Sequence, residues 1–187
     1  ITRSGTSSGA FLRDSNGSLF VGIGADRTLT MGVPIANGWG AFTKDGAGTL
    51  VLNGTNTFTG TLSINAGTVR YASGLNGDLN GNPVNIWNSG LLDFVGDTDT
   101  LGALTIYSGG LTNSAAGGSL TVASLTMGSG PAGSSTYVQS GTGSIKLNGN
   151  VTFTSANDPD MATIGGKLDL NGASRTFTVN NSVSPGA

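Results

Sequence analysis

The feature that most limits the folds open to this chain is a pair of apolar residues separated by one polar or small residue. It recurs fourteen times, from Leu19 and Val21 through Leu62 and Ile64, Leu104 and Ile106, and Ile145 and Leu147, to Phe177 and Val179. A spacing of two is the signature of a strand with one buried face. The pairs follow each other about every ten residues, with Asn-Gly, Asp-Gly or Gly-Gly between many of them, which predicts short strands joined by tight turns. Spacing alone leaves sandwich, barrel and solenoid open.

The residue inventory agrees with strands. There is no glutamate, no histidine and no cysteine, and Gln139 is the single glutamine, so most long-chain helix formers are missing. Gly, Ser, Thr and Asn make up about half of the 187 residues, yet the apolar residues are evenly spread, which predicts order rather than a disordered chain. No stretch is rich enough in Gly and Ser to mark a linker, so residues 1–187 are read as a single segment, with Gly128 to Ser135 as the softest part.

Self-similarity selects among the three architectures. Gly48–Gly54 (GTLVLNG), Gly143–Gly149 (GSIKLNG) and Gly166–Gly172 (GKLDLNG) are versions of one phrase, with Gly67–Tyr71 a looser copy. A short repeated strand buries its apolar side against copies of itself stacked above and below, which predicts a solenoid. At roughly 20 to 25 residues per rung and about 4.8 Å between rungs, the chain is expected to form about eight rungs over some 40 Å.

Residues 42–73 carry a more specific pattern. Lys44, Gly46, Gly48, Thr49, Leu50, Leu52, Gly54, Asn56, Phe58 and Gly60, followed by Ile64, Gly67, Thr68 and Val69, occupy in order the positions of the autotransporter-associated β-strand repeat, which this stretch resembles. Leu168–Val179 is similar to the segment that often precedes such repeats, and Arg27–Met31 is a fainter echo. The resemblance implies an all-β, right-handed parallel β-helix in the exported passenger of a large bacterial surface protein, with Ala72–Ser140 assigned by continuity. It implies a structural or adhesive role: a surface fibre, stalk or filament element located outside the cell. The glycines are expected to turn the corners, and Asn53 or Asn56 to bond a neighbouring rung in an amide ladder.

Other chemistries are weakly supported. With 8 Lys and Arg against 10 Asp, the net charge is −2, and no basic stripe exists for nucleic acid or an anionic membrane. No apolar run is long enough to span a bilayer, and the start at Ile1, without an initiator Met or leader pattern, reads as an internal or processed piece. Catalysis would rest on Asp97 with Asp99 or Asp158 with Asp160, both of which read more simply as turns. No enzyme activity, catalytic residue, metal or cofactor is expected, since the basic partners of polysaccharide-cleaving β-helices and the glycine-aspartate nonapeptide of calcium-bound rolls are both missing. The Thr-x-Thr runs are too irregular in sequence to predict an ice-binding array. Trp39, Trp87 and Tyr107 are candidates for stacking on sugars, with Trp87 the best placed for a glycan contact because it follows Ile86 on the polar face. The Asn-x-Ser/Thr triplets at Asn16, Asn53, Asn150 and Asn180 are expected by composition alone. Neither terminus shows a charged or proline-rich cap, so the expected partner is another stretch of the same kind of solenoid, end to end or by continuation in a longer chain.

Overall fold

The computed structural model describes residues 11–15, 18–35, 40–74, 79, 81–128, 135–154 and 161–180. Among them are sixteen strands and no helix. In chain order they are β1 (Phe11–Ser15), β2 (Ser18–Gly22), β3 (Thr28–Met31), β4 (Ala41–Asp45), β5 (Thr49–Leu52), β6 (Thr61–Ile64), β7 (Thr68–Tyr71), β8 (Val84–Trp87), β9 (Leu91–Asp93), β10 (Thr98–Tyr107), β11 (Gly110–Thr112), β12 (Ser119–Gly128), β13 (Ser135–Leu147), β14 (Val151–Thr154), β15 (Met161–Asp169) and β16 (Phe177–Asn180). All pair in parallel except β1, which folds back antiparallel on β2.

The pairing defines a β-solenoid with three sides. The first face runs β2, β4, β6, β8, the second half of β10, the second half of β12, β14 and β16. The second runs β3, β5, β7, β9, β11 and the first parts of β13 and β15. A third side is built from the first halves of β10 and β12 and the last parts of β13 and β15. About six full turns result, with partial levels at either end accounting for the difference from the eight rungs expected. Turn length varies: Ala41 stands opposite Thr61, a step of 20 residues, whereas Val151 stands opposite Phe177, a step of 26.

The alternation read from sequence decides what is inside. On the first face Leu19, Phe42, Leu62, Val84, Leu104, Leu125 and Val151 form one inward column, all buried. On the second, Leu50, Val69, Leu92, Leu111 and Val138 form another, and on the third Leu101, Val122 and Leu147 a third. Each apolar side chain is covered by its counterparts one level up and one level down, so burial propagates along the rod.

The self-similar phrases sit differently from what their likeness suggests. Those at Gly143–Gly149 and Gly166–Gly172 stack on the third side, with Ile145 opposite Leu168, but the phrase at Gly48–Gly54 lies on the second face. The phrase encodes a strand between two corners and does not mark one side. Gly48, Gly67, Gly90 and Gly109 form the column that does mark a corner: Thr68 N–H donates to Gly48 O, Leu91 N–H to Gly67 O and Gly110 N–H to Gly90 O. A Cβ on Gly67 would collide with the Gly48 carbonyl, and Gly67 also has φ +67°.

Gly67→Ala is therefore expected to destabilise the fold by more than about 1 kcal/mol, combining left-handed strain with a backbone collision, whereas Gly32→Ala, which meets nothing within 4 Å, is expected to be near neutral. Leu62→Ala, at a fully buried position, is expected to cost about 2–5 kcal/mol. Chemical denaturation of the three variants followed by circular dichroism checks the order.

Candidate functional site

The sequence pattern with the strongest signal, Lys44 to Val69, occupies β4 to β7 and the connections between them. Its most unusual member is Lys44. In the first face's second inward column, Val21, Ile64, Ile86 and Ile106 are apolar, and Lys44 takes the place between Val21 and Ile64. Its residue is fully buried. The stem fills the column as an isoleucine would, and the ammonium reaches the corner, where Nζ donates to Asp45 O at 3.0 Å, Gly46 O at 2.7 Å and Ala66 O at 3.0 Å. Three N–H donors thus meet three carbonyls, one of them on the next level.

The glycines of the motif make that convergence possible. Gly46 has φ +76°, and a Cβ there would run into the Ile23 carbonyl on the preceding level. The level below is bonded through the same corner: Ile23 N–H donates to Asp45 O at 2.9 Å, Gly48 N–H to Ile23 O at 3.0 Å and Thr49 N–H to Arg27 O at 2.8 Å. Lysine, Gly46 and Gly48 together form a corner clamp across three levels.

The remaining motif residues pack or bracket. Leu50, Leu52, Phe58, Ile64 and Val69 are buried, and Phe58 meets Phe42 edge to face with centroids 5.7 Å apart. Asn56 is 2 % exposed and its Oδ1 accepts from Ile35 N at 2.9 Å, a side-chain bond to the backbone of the preceding level. The amide ladder expected at Asn53 or Asn56 is absent there, since Asn53 is exposed and Asn56 is spent on backbone. An amide pair does occur elsewhere, from Asn171 Nδ2 to Asn148 Oδ1 at 2.7 Å, in the two phrases that stack. Gly54 and Gly60 lie so close to the backbone of the preceding level that a side chain would not fit.

The aspartates are also structural brackets. Asp97 and Asp99 do not form a turn pair as expected: Asp99 lies within β10 and points inward, in column with Leu120 and Ile145, while Asp97 precedes the strand. Asp99 Oδ2 accepts from Tyr71 OH and from Leu79 N, both at 2.9 Å, and its Oδ1 from Thr100 N at 2.7 Å. Asp97 Oδ1 accepts from Gly74 N at 2.9 Å. Asp93, which sequence reading passed over, accepts from Val95 N, Ser114 N and Ser114 Oγ and pairs with Arg70 Nε at 3.4 Å. It ends β9 two residues before Val95, whose φ of +47° is set by the fold and has no mark in the sequence. Asp93 and Asp99 thus spend both oxygens on N–H and O–H donors of the surrounding turns. Among the described residues, no group of three or more His, Cys, Asp or Glu side chains gathers where a metal could be held. Asp158, Asp160 and Trp39 lie outside the described residues.

Trp87 points outward, 37 % exposed, and stacks on Tyr107 one level away, with ring centroids 4.9 Å apart and planes 10° from parallel. Gly128 follows in the same column, and the Tyr107 ring lies over it so closely that a Cβ would clash.

Residues 42–70 match the family model of the passenger-associated-transport-repeat. The chain carries a passenger-associated transport repeat. The matched span runs from β4 into β7, one turn and the start of the next, so the repeat contains both halves of the corner clamp: Lys44 with its glycines, and the Ala66 carbonyl they reach. The matched repeat is an integral part of a longer β-solenoid. No curated protein and no solved structure matches the chain.

Burial lowers the pKa of Lys44 to about 8, against the opposing pull of the Asp45 carboxylate. The unfolded chain keeps this proton up to the ordinary value of 10.5, so between about pH 8 and 10.5 the unfolded state binds more protons and stability rises with pH. The gain attributable to Lys44 is on the order of 3 kcal/mol, and Lys44→Met is expected to remove that rise. Thermal melts of both proteins across the pH window measure it as the difference between the two curves.

Proposed function

We propose that this segment is a stalk or spacer of a bacterial protein exported to the cell surface, and that its role is to hold length and shape outside the cell. The observation that carries the reading is the passenger-associated transport repeat built into an uninterrupted parallel solenoid. A non-catalytic role accords with it: the chain has no His and no Glu, and Asp93 and Asp99 hold backbone amides rather than facing a cleft.

The ends of the stack support association along the axis. On the first face the last level leaves Phe177 and Val179 48 % and 73 % exposed, in column with Val151 and Phe153 of the level beneath. Another solenoid level, from a continuing chain or a second copy, would cover them as they cover β14. At the other end β1 runs antiparallel to β2. The two ends of the described stack therefore differ in strand direction, and β16, whose apolar side chains are exposed, is the level we propose further turns to cover.

Two measurements test the reading. Rods with a rung repeat near 4.8 Å in electron micrographs of the purified segment, and protease-accessible epitopes on intact cells of the source, are expected; globular particles with helical circular dichroism would sink it. Val179→Lys is expected to lower self-association in light scattering, and a parent chain that stays monomeric at high concentration removes the second-copy form of the proposal.

A further inference from the structure

The parallel register brings together residues that are far apart in sequence. On the outward side of the first face, Ser63, Asn85, Thr105, Thr126, Thr152 and Thr178 stand in one column, each directly opposite the next. Residues spaced irregularly in sequence are thus evenly spaced in the stack, because turns of unequal length still end in register. At about 4.8 Å per level the column extends roughly 24 Å.

The first-face segments that make this strip, TLSI, VNIW, LTIY, LTMG, VTFT and FTVN, carry no charge. Most charged residues of these levels are placed elsewhere, Arg70 and Asp93 on the second face and Lys146, Lys167 and Asp169 on the third; on the first face itself Asp45 ends β4, one level before Ser63, and marks where the uncharged strip begins. Along one margin of the strip stand Trp87 and Tyr107, stacked on each other.

We propose that this strip is a docking surface for an extended, neutral polysaccharide lying along the rod axis. Hydroxyls and an amide offer both donors and acceptors, which is what sugar hydroxyls require. Their repetition at a fixed step suits a linear polymer more than a single sugar. The aromatic pair supplies apolar surface with a polar tip beside the column, suited to the C–H faces of pyranose rings. The absence of charge disfavours acidic polysaccharides, which would need cations to replace their lost hydration. The two large rings and the Asn85 amide break the uniformity that a face matched to ice would need.

The test is co-sedimentation of the full 187-residue chain with insoluble cellulose, chitin and β-1,3-glucan, with cross-linked polygalacturonate as the acidic control. Binding to at least one neutral polymer is expected, weakened about tenfold or more by Thr105→Lys with Thr126→Lys, which puts unpaired ammonium groups in the contact, and weakened by Trp87→Ala. Thr30→Lys, on the exposed second face, is expected to leave binding unchanged, and circular dichroism melts confirm that each variant is folded. Failure to bind any neutral polymer, binding indifferent to the Thr105 and Thr126 changes in folded protein, or preference for polygalacturonate overturns the proposal. Thermal hysteresis without polysaccharide binding overturns it in favour of an ice-ordering face.

Discussion

Everything in this molecule depends on bringing successive backbones close enough at the corners for the strands between them to stay in register. A parallel ladder tolerates almost no side chain where the chain bends, because the carbonyl of one level occupies the space a Cβ of the next would need. The column Gly48, Gly67, Gly90 and Gly109 solves this along one edge, and Gly46 solves it again where the backbone must also enter the left-handed region. Once the corners close, the apolar columns follow with little further specification, since any aliphatic side chain of suitable size is covered by its neighbours.

The family motif takes on a physical meaning in that setting. Its lysine is the exception in an aliphatic column, tolerated because the corner turns three carbonyls toward one point. An ammonium group carries three hydrogens and has no need to accept, so it fits such a convergence better than an amide or hydroxyl would. Burial still works against it, as the lowered pKa shows. The clamp therefore adds specificity of register as much as stability: a strand slipped by one residue would point the lysine outward and bring Thr43 or Asp45 inward, leaving the carbonyls without the ammonium they converge on.

Much of the fold was legible because its unit is local. Pairs such as Leu62 with Ile64 announce a strand and its buried side within three residues, and the repeat at Lys44–Val69 is contiguous in sequence. What was illegible is whatever depends on the length of the turns. The likeness of Gly48–Gly54 to Gly143–Gly149 hid the fact that they lie on different sides. The hydroxyl column escaped notice because steps of 20 and 26 residues erase any fixed period. Asp99 reads as half of a turn in Asp-Thr-Asp, and only the approach of Tyr71, 28 residues away, makes it a buried acceptor.

Because each level touches only the levels beside it, the length of such a rod is free to change in whole turns. Excising one turn, residues 65–86 with β7 and β8, would set Leu62 opposite Leu104 and Ile64 opposite Ile106, the same inward pairing that β8 now mediates through Val84 and Ile86. The outward column would close over the gap in the same way, Ser63 meeting Thr105. A gene encoding this architecture can gain or lose reach by duplication and deletion of single turns, with the inward columns and the outward face kept intact, whereas the loss of one residue inside a strand would turn both of them over.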